Sequence, residues 1–556
     1  MSAVSSVSLS DFAKANDGNF TLNNVDCEQK EAILEKCIRG LDTDGYAEVT
    51  DCLSCVRILS RDENSLNRLA ENNIVESIYK FAFHSNEDND PKKIIEALKA
   101  LSNIIFKRPS TIPFLRTLGI VRNLTEHLKL SINRPDRNNI LLIDLKLLFI
   151  LSGLEPEVRS ELASDPEAFA LFANLLRSFQ ANSLSSLDVG LISEALKAAY
   201  NIGYAMQNDS NHHPTQQFDV FVPILSELLL GKTATPSEHF QLVNHIVNFL
   251  NIVPKRYFRH LLRSSGDRST ASPMCDIPAI DVLLEFLSHQ MDLLDSKDQS
   301  EPDASSLRSD ELLCPIFNVL IKGARGSRAM RKYCRLKILP HLGEEVRHLP
   351  EEGSTLRNRL CRLLTYPLQG VSELDALLLF VLCKEDIGRA VKYTGFGNFA
   401  GFLASHALLG RSSKRESRAT TATTDGSAAQ VGDQPTPSST TKRSSVITED
   451  DSAEEYSTGS SESDTEEYNR LRENINPITG RWELPRPNPM EGMSEEQKEC
   501  TAMELVNQID RLQRSGLIQP GVIGDDGRIR PAEHVLELLE NTKIKDDDDG
   551  CSGEES

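Results

Sequence analysis

The residues best placed to do chemistry in this chain are cations and amides that return at a near-regular interval. Arg57 and Arg61 stand four apart, as do Lys99 with Asn103 and Lys197 with Asn201. Lys146 falls between them, and the basic residues Arg57, Lys99, Lys146 and Lys197 are 42, 47 and 51 positions apart. Asn251 extends the amide series: Ser102-Asn103-Ile104, Tyr200-Asn201-Ile202 and Leu250-Asn251-Ile252 share one pattern at spacings of 98 and 50. Residues four apart share one face of a helix. If such helices stack in register, these side chains line one wall with positive charge and amide groups. That wall suits a ligand presenting carboxylates. The C-terminus of a helix fits best, with its unpaired carbonyls, its negative dipole end and, at a chain end, a free α-carboxylate. Without that register the same residues form an ordinary solvated face.

The elements that must position them are helices. Apolar residues recur at steps of three and four, as in Ile140, Leu142, Leu145, Leu148, Phe149 and Leu151, and strand alternation is hard to find. Self-similarity near 50 residues built from helical segments predicts an all-α, armadillo/HEAT-like solenoid whose equivalent helix faces form one long surface. The repeat domain is expected over 27–410, behind a flexible N-terminus at 1–26. A disordered, acidic, Ser/Thr-rich linker is expected over 411–475, because it holds too few large apolar residues to offset ordering entropy. A C-terminal tail is expected over 476–541 and a disordered acidic end over 542–556. In the tail, Ser494-Glu495-Glu496-Gln497 is a capping box. Leu505, Val506, Ile509 and Leu512 then make one apolar stripe on a helix over 494–515, with Gly516 as its C-cap. So short a helix is marginal alone, so it docks either on the solenoid or on a partner.

Charge is uneven. The net charge is −21, yet residues 411–556 hold 17 Lys/Arg against 31 Asp/Glu. This is no basic nucleic-acid footprint. No run reaches the ~18 uncharged apolar residues of a membrane span, and the polar N-terminus shows no secretory leader. The 11 cysteines are scattered, with Cys52-x-x-Cys55 the one close pair, which predicts reduced structural thiols in a cytosolic protein. There is no phosphate loop, no zincin pair and no nucleophile elbow, so neither an enzyme nor a cofactor is expected. Gly395-Phe396-Gly397-Asn398-Phe399-Ala400-Gly401 follows helix rather than strand and is not read as a dinucleotide site. An importin-like hold on basic peptides is disfavoured as well: the single tryptophan is Trp482, outside the repeats, and the rungs are basic.

A second basic cluster includes Arg328, Arg331, Arg335, Arg357, Arg359 and Arg362, and no acid occurs between Leu312 and Gly343. From Val446 to Tyr468 there are nine acids and no Lys or Arg. Thr448, Ser452, Ser461 and Ser463 there have acids three positions on, as an acid-directed Ser/Thr kinase prefers. Phosphorylation adds roughly −1.5 to −2 charge per site, so the phosphorylated segment is expected to bind the basic cluster.

Several segments together resemble the synembryn family. They include Gly353 to Leu364, Phe380 to Glu385, Val391 to Asn398, Ile475 to Arg481 and Pro487 to Met493. Glu495 to Glu499, Leu505 to Asn507, Val56 to Asp62 and Asp144 to Phe149 match too. These matches run in the same order over about 50–520. The resemblance implies a non-receptor guanine-nucleotide exchange factor and folding chaperone for G-protein α subunits (Gα). It implies that the solenoid takes the Gα C-terminal helix in its groove, with Arg57, Arg61 and Asn103 touching it, and that the tail contacts the opened GTPase. It further implies phosphorylation in the linker, best placed at Ser463. The expected protein is a cytoplasmic monomer, recruited to the cell cortex or plasma membrane. The other reading that fits is a solenoid scaffold for acidic or helical C-terminal peptides, without exchange activity.

Overall fold

The computed structural model describes residues 8–43, 45–84, 91–132, 134–179, 183–208, 217–262, 277–295, 302–409, 464–484, 490, 492–515, 518–519, 521–523 and 529–532. The chain divides into two compact units, Met1–Tyr333 and Cys334–Ser556. The helices of the first unit are α1 (Leu9–Asn16), α2 (Cys27–Leu41), α3 (Val49–Leu59), α4 (Glu63–Leu69), α5 (Asn72–Phe83) and α6 (Pro91–Lys107). There follow α7 (Ile112–Thr117), α8 (Ile120–Ser131), α9 (Asn138–Leu154), α10 (Pro156–Ser164), α11 (Pro166–Ser178) and α12 (Ser186–Asn208). The last are α13 (Gln217–Leu229), α14 (Pro236–Leu250), α15 (Pro278–Asp295) and α16 (Pro302–Gly326).

These helices stack in two rows. In one row α3, α6, α9, α12, α14 and α16 pack each on the next. In the other, α2 meets α5, α8 meets α11, and α11, α13 and α15 follow in turn. Each helix of one row also packs on its sequence neighbour in the other: α2 on α3, α5 on α6, and so on to α15 on α16. This is the expected solenoid of helix pairs. It explains why α9 is apolar nearly all round: Leu141, Leu145, Leu147, Leu148 and Leu151 meet neighbours on several sides and are buried. Local chemistry marks the helix starts. Thr235 and Glu238 form a reciprocal capping box at α14, with Pro236 in the first turn.

The expected boundaries differ from the observed ones in three places. α1 lies in the stretch read as a flexible N-terminus. Leu9 and Phe12 are buried, α1 packs on α3, and the Cys55 thiol donates to the Leu9 carbonyl at 3.3 Å. A short helix with two large apolar residues gives too little periodicity to read. The stretch expected to be one repeat domain over 27–410 is divided inside α17 (Arg328–Ile338). Beyond it the two-row pattern ends: α18 (Leu356–Leu363), α20 (Ile387–Thr394) and α21 (Phe396–Ser405) all pack on α19 (Gln369–Leu382). Third, the last residues of the stretch read as disordered linker are folded. Thr465 caps α22 (Glu466–Leu471) and donates from its hydroxyl to the Leu342 carbonyl. Tyr468 and Leu471 are buried, and the Lys392 ammonium pairs with Asp464 and lies 4.1 Å from the Tyr468 ring centroid. The linker's candidate phosphosites Thr448, Ser452, Ser461 and Ser463 lie outside the described residues.

The glycine-rich run at 395–401 has a structural use. The strands β1 (Ile475–Asn476) and β2 (Arg481–Trp482) form a hairpin. Its turn carbonyls, Pro477 and Ile478, accept from the N–H groups of Phe396 and Gly397 at 2.9 and 2.8 Å. They thereby satisfy donors that the first turn of α21 leaves open. Gly395 has φ +76°, and a Cβ there would meet the Thr479 backbone at 2.9 Å. Glycine is required on both counts. In the tail, α23 (Glu495–Arg514) starts at the expected capping box, Ser494 with Gln497. β3 (Gly521–Ile523) pairs antiparallel with β4 (Ile529–Pro531). Among the described residues no helix is long and apolar enough to cross a membrane.

Asp375 on α19 is completely buried, and neither carboxylate oxygen has a hydrogen-bond partner among the described residues. Burial pushes its pKa well above the ordinary value, which favours the neutral acid. The folded state therefore keeps a proton that the unfolded chain releases near pH ~3.9. Stability attributable to this residue falls as pH rises above that value. Asp375→Asn removes the proton release. Its melting temperature relative to the parent should climb with pH, the stability difference growing by up to about 1.4 kcal/mol per unit. Parallel melting-versus-pH curves for the two proteins would show that Asp375 is not held neutral.

Candidate functional site

The cations that the sequence singled out sit on successive helices of one row: Arg57 on α3, Lys99 on α6, Lys146 on α9 and Lys197 on α12. At the first rung they converge with acids. The Arg57 guanidinium donates through Nε to Glu96 Oε2 at 2.6 Å and through Nη2 to Asp17 Oδ1 at 2.5 Å. The Lys99 ammonium reaches Glu96 Oε1 at 3.2 Å. Arg61, one turn on, donates through Nη1 to the carbonyls of Asn16 and Asp17 at 3.2 and 3.1 Å, and also to that of Asn19.

The two carboxylates differ in setting. Glu96 is buried on α6, with 8% of its side chain exposed, whereas the Asp17 side chain is 67% exposed. Burial by itself would raise the Glu96 pKa, but the Arg57 guanidinium and the Lys99 ammonium outweigh it and hold the carboxyl below its usual range. Asp17 is also lowered, first by its hydrogen bond to Arg57, then by Arg57's charge, with smaller help from Arg61 and Lys99. Burial works against the Arg57 charge, yet its bonds to Glu96 and Asp17 raise its pKa. Burial and the Arg57 charge lower that of Arg61. Arg57 thus holds a solvent-accessible carboxylate and Arg61 the carbonyls next to it, while buried Glu96 ties Arg57 to Lys99. The arrangement binds a carboxylate with adjacent carbonyl oxygens. Among the described residues no group of three or more His, Cys, Asp or Glu could hold a metal ion.

The family model described as the guanine nucleotide exchange factor synembryn matches residues 52–528. The chain belongs to the synembryn family. A Xenopus laevis relative named Chaperone Ric-8A is 30% identical, over 98% of this chain and 96% of its own length. A Drosophila melanogaster relative named Chaperone Ric-8 is 31% identical, over 88% of this chain and 87% of its own. The match takes in both the cations on α3 and α6 and the tail helix α23.

The amides of the series play a different part from the cations. Asn103 Nδ2 donates to the Arg57 carbonyl at 3.1 Å and to Ser60 Oγ at 3.0 Å, joining α6 to the end of α3. Asn201 Nδ2 repeats this two intervals later, on the Phe149 carbonyl at 3.3 Å and Ser152 Oγ at 3.0 Å. Asn251 Nδ2 reaches the Pro315 carbonyl of α16 at 3.1 Å, and the Lys322 ammonium binds the Asn251 carbonyl in turn. The amide N–H groups of Asn103, Asn201 and Asn251, expected to face a ligand, bind protein acceptors between neighbouring helices. Lys197 repeats the Lys99 pattern, pairing with Glu194 at 2.7 Å, and its ammonium lies 5.1 Å from the Phe149 ring centroid. Lys146 is exposed between these rungs.

The other expected sites fare unevenly. On α23, Leu505 and Leu512 are exposed, Val506 and Ile509 are half-buried, and no residue of the helix is fully buried. The predicted apolar stripe exists and stays largely open. In the basic cluster, Arg335 and Arg357 are buried. They donate to the Tyr393 hydroxyl at 3.3 Å and the Tyr393 carbonyl at 2.9 Å. Arg362 holds the carbonyls of Glu351 and Gly353, each at 2.8 Å, and Arg331 holds that of Ala324 at 3.0 Å. Of the six residues expected to receive a phosphorylated linker, Arg335 and Arg357 thus brace Tyr393, through its hydroxyl and its carbonyl. Arg328 is exposed and Arg359 half-buried. Sequence reasoning missed Asp17, Glu96 and Glu194. The last two had a visible signal, the shared run Glu-Ala-Leu-Lys-Ala at 96–100 and 194–198.

If the amides clamp helices, Asn103→Ala and Asn201→Ala should each cost about 1–2 kcal/mol in thermal or urea unfolding, while Lys146→Ala costs nothing measurable. An Asn103→Ala protein that melts like the parent but loses ligand affinity would return that side chain to the ligand.

Proposed function

We propose that the carboxylate site at Arg57, Arg61 and Lys99 takes the C-terminal helix of a Gα subunit, and that this grip promotes GDP release. As a synembryn-family member similar to the Ric-8 chaperones, the chain is a guanine-nucleotide exchange factor and chaperone of that kind, acting on Gα. The observation that carries the finer reading is that Arg57 binds the exposed Asp17 carboxylate while Arg61 binds the backbone carbonyls beside it, with the Lys99 charge of the next helix close by. A helix end carrying a free α-carboxylate and open carbonyls offers the same groups.

Exchange then follows from linkage. A protein that binds nucleotide-free Gα better than GDP-bound Gα must lower the affinity for GDP by the same factor. Preference for an incompletely closed Gα also serves chaperoning. No bond is made or broken, so the protein is a regulator and not an enzyme. The open apolar stripe of α23, with Leu505, Val506, Ile509 and Leu512, is assigned to the opened GTPase. An acid-directed kinase acts on the linker at Ser463 and its neighbours. The working location is the cytoplasm, with recruitment to the cortex.

Labelled GDP should leave at least one class of purified Gα faster when this protein is added, and faster again after treatment with an acid-directed kinase. Reversing Arg57 to a carboxylate would crowd it against Glu96 and Asp17, so the informative variant is Arg61→Ala with Lys99→Ala. It should lose about tenfold or more in Gα affinity with its far-UV dichroism intact. Full affinity in that folded variant would move the site elsewhere. Binding without acceleration would leave chaperoning as the activity.

A further inference from the structure

The segment just past α1 presents to the cations the same groups as a helix end. Asp17 follows the last residue of α1, and its carboxylate sits on Arg57 Nη2 at 2.5 Å. The carbonyls of Asn16, Asp17 and Asn19 gather on one nitrogen of Arg61. We infer that residues 16–19 are an intramolecular surrogate for the ligand, which an incoming carboxy-terminal helix must displace. This inference rests on the reading of the Arg57, Arg61 and Lys99 site given above.

Three features make the contact exchangeable. Arg57 divides its fork between a permanent and a replaceable partner. Glu96, on the neighbouring helix, is buried and holds Nε, so the guanidinium keeps its orientation when Asp17 leaves. Next, the surrogate stretch is exposed between two anchors. Residues 17–21 are all exposed, whereas Phe12 and Asn16 before them and Leu22 after them are buried. The stretch can therefore release the cations while α1 stays in place. Finally, nothing lies within 4 Å of where a Cβ would stand at Gly18, and the Phe20 side chain is 94% exposed. No apolar contact of either residue holds the stretch down, so polar contacts such as those to Arg57 and Arg61 must keep it there.

The consequence is a lowered apparent affinity. A tethered competitor acts at high effective concentration. The ligand's apparent Kd rises by the inverse of the fraction of molecules in which the site is open. Asp17→Asn keeps the shape and removes the charge, which favours the open form.

The test uses the full chain and a labelled peptide spanning the C-terminal helix of a Gα subunit with a free α-carboxylate, titrated by anisotropy. Because one exposed ion pair is removed, Asp17→Asn should bind about two- to fivefold tighter than the parent. Asp17→Glu should not, and the gain should vanish when Arg57→Gln is also present. Melting curves of all variants report folding, and Asp17→Ser serves if the Asn variant is unstable. Unchanged or weaker binding by Asp17→Asn, with binding still lost in Arg61→Ala/Lys99→Ala, would overturn the surrogate and leave the site standing. A gain that persists in the Arg57→Gln background would overturn it too, since a general charge effect would then suffice. If Arg61→Ala/Lys99→Ala also binds normally, the reading of the site itself falls.

Discussion

The amide clamp between successive helices is the interaction on which the rest of the first unit depends. In a solenoid each repeat touches only its neighbours, so any slip in one interface is passed to all later ones. Apolar packing alone tolerates such slips, because its attraction is non-directional. A side-chain amide with two acceptors on the next helix does not. Asn103 meets Arg57 O and Ser60 Oγ, and Asn201 meets Phe149 O and Ser152 Oγ, in the same geometry two helices later. The Asn103 clamp also occupies the Arg57 carbonyl in the last turn of α3, where intrahelical donors run out. Register and satisfaction of the backbone are thus met by one group.

The charge pattern builds on that register. Glu96 lies about two turns before Asn103 on α6, so the clamp that seats Asn103 on the end of α3 also brings Glu96 to Arg57. A buried carboxylate is costly without a partner, and here it has both Arg57 and Lys99. The pair therefore serves orientation more than stability: Arg57 Nε is fixed inward and its Nη2 is left directed at solvent and Asp17. The same Glu-to-Lys spacing at Glu194 and Lys197 lacks an arginine opposite, and Phe149 stands there, its ring under the Lys197 ammonium. The two rungs thus differ in chemistry although they share a backbone plan. The first rung can grip a carboxylate, and the later one holds its charge against an aromatic face.

Much of this was legible in the sequence. The repeat length, the helical class, the capping box at Ser494 and the placement of Arg57, Lys99, Lys146 and Lys197 on stacked helices all follow from periodicities of 3.6 and about 50. What stayed hidden was which way a polar group faces. An asparagine on a helix reads the same whether its amide meets a ligand or the carbonyl of the next helix. An arginine in a basic run reads as surface, yet Arg357 finds the Tyr393 carbonyl 36 positions away and is buried by it. α1 escaped for a different reason. Its eight residues carry Leu9 and Phe12 as their only large apolar side chains, and the partner that makes them a core is α3, over 30 residues on.

The second unit fills from within the place where a nucleotide phosphate could have sat. The glycine-rich turn before α21, at Gly395, has the local ingredients of a phosphate cradle: N–H groups at a helix start and no side chain in the way. The hairpin 475–482 fills that place, with the Pro477 and Ile478 carbonyls on the donors of Phe396 and Gly397. Acceptors now stand where an anion would need donors, so a phosphate is repelled there. Direct competition with the nucleotide's phosphates is therefore not offered by this turn. In the proposed function, influence on GDP runs through differential affinity for Gα states, which bounds it. The factor by which this protein weakens GDP binding equals the factor by which GDP weakens the protein's own hold. A site whose grip is partly spent on an internal carboxylate reaches a smaller hold on each state, but the ratio between states is untouched as long as both states must displace the same segment. On that proposal, occupying the site from within sets how much Gα is engaged, and leaves the exchange coupling to the Gα itself.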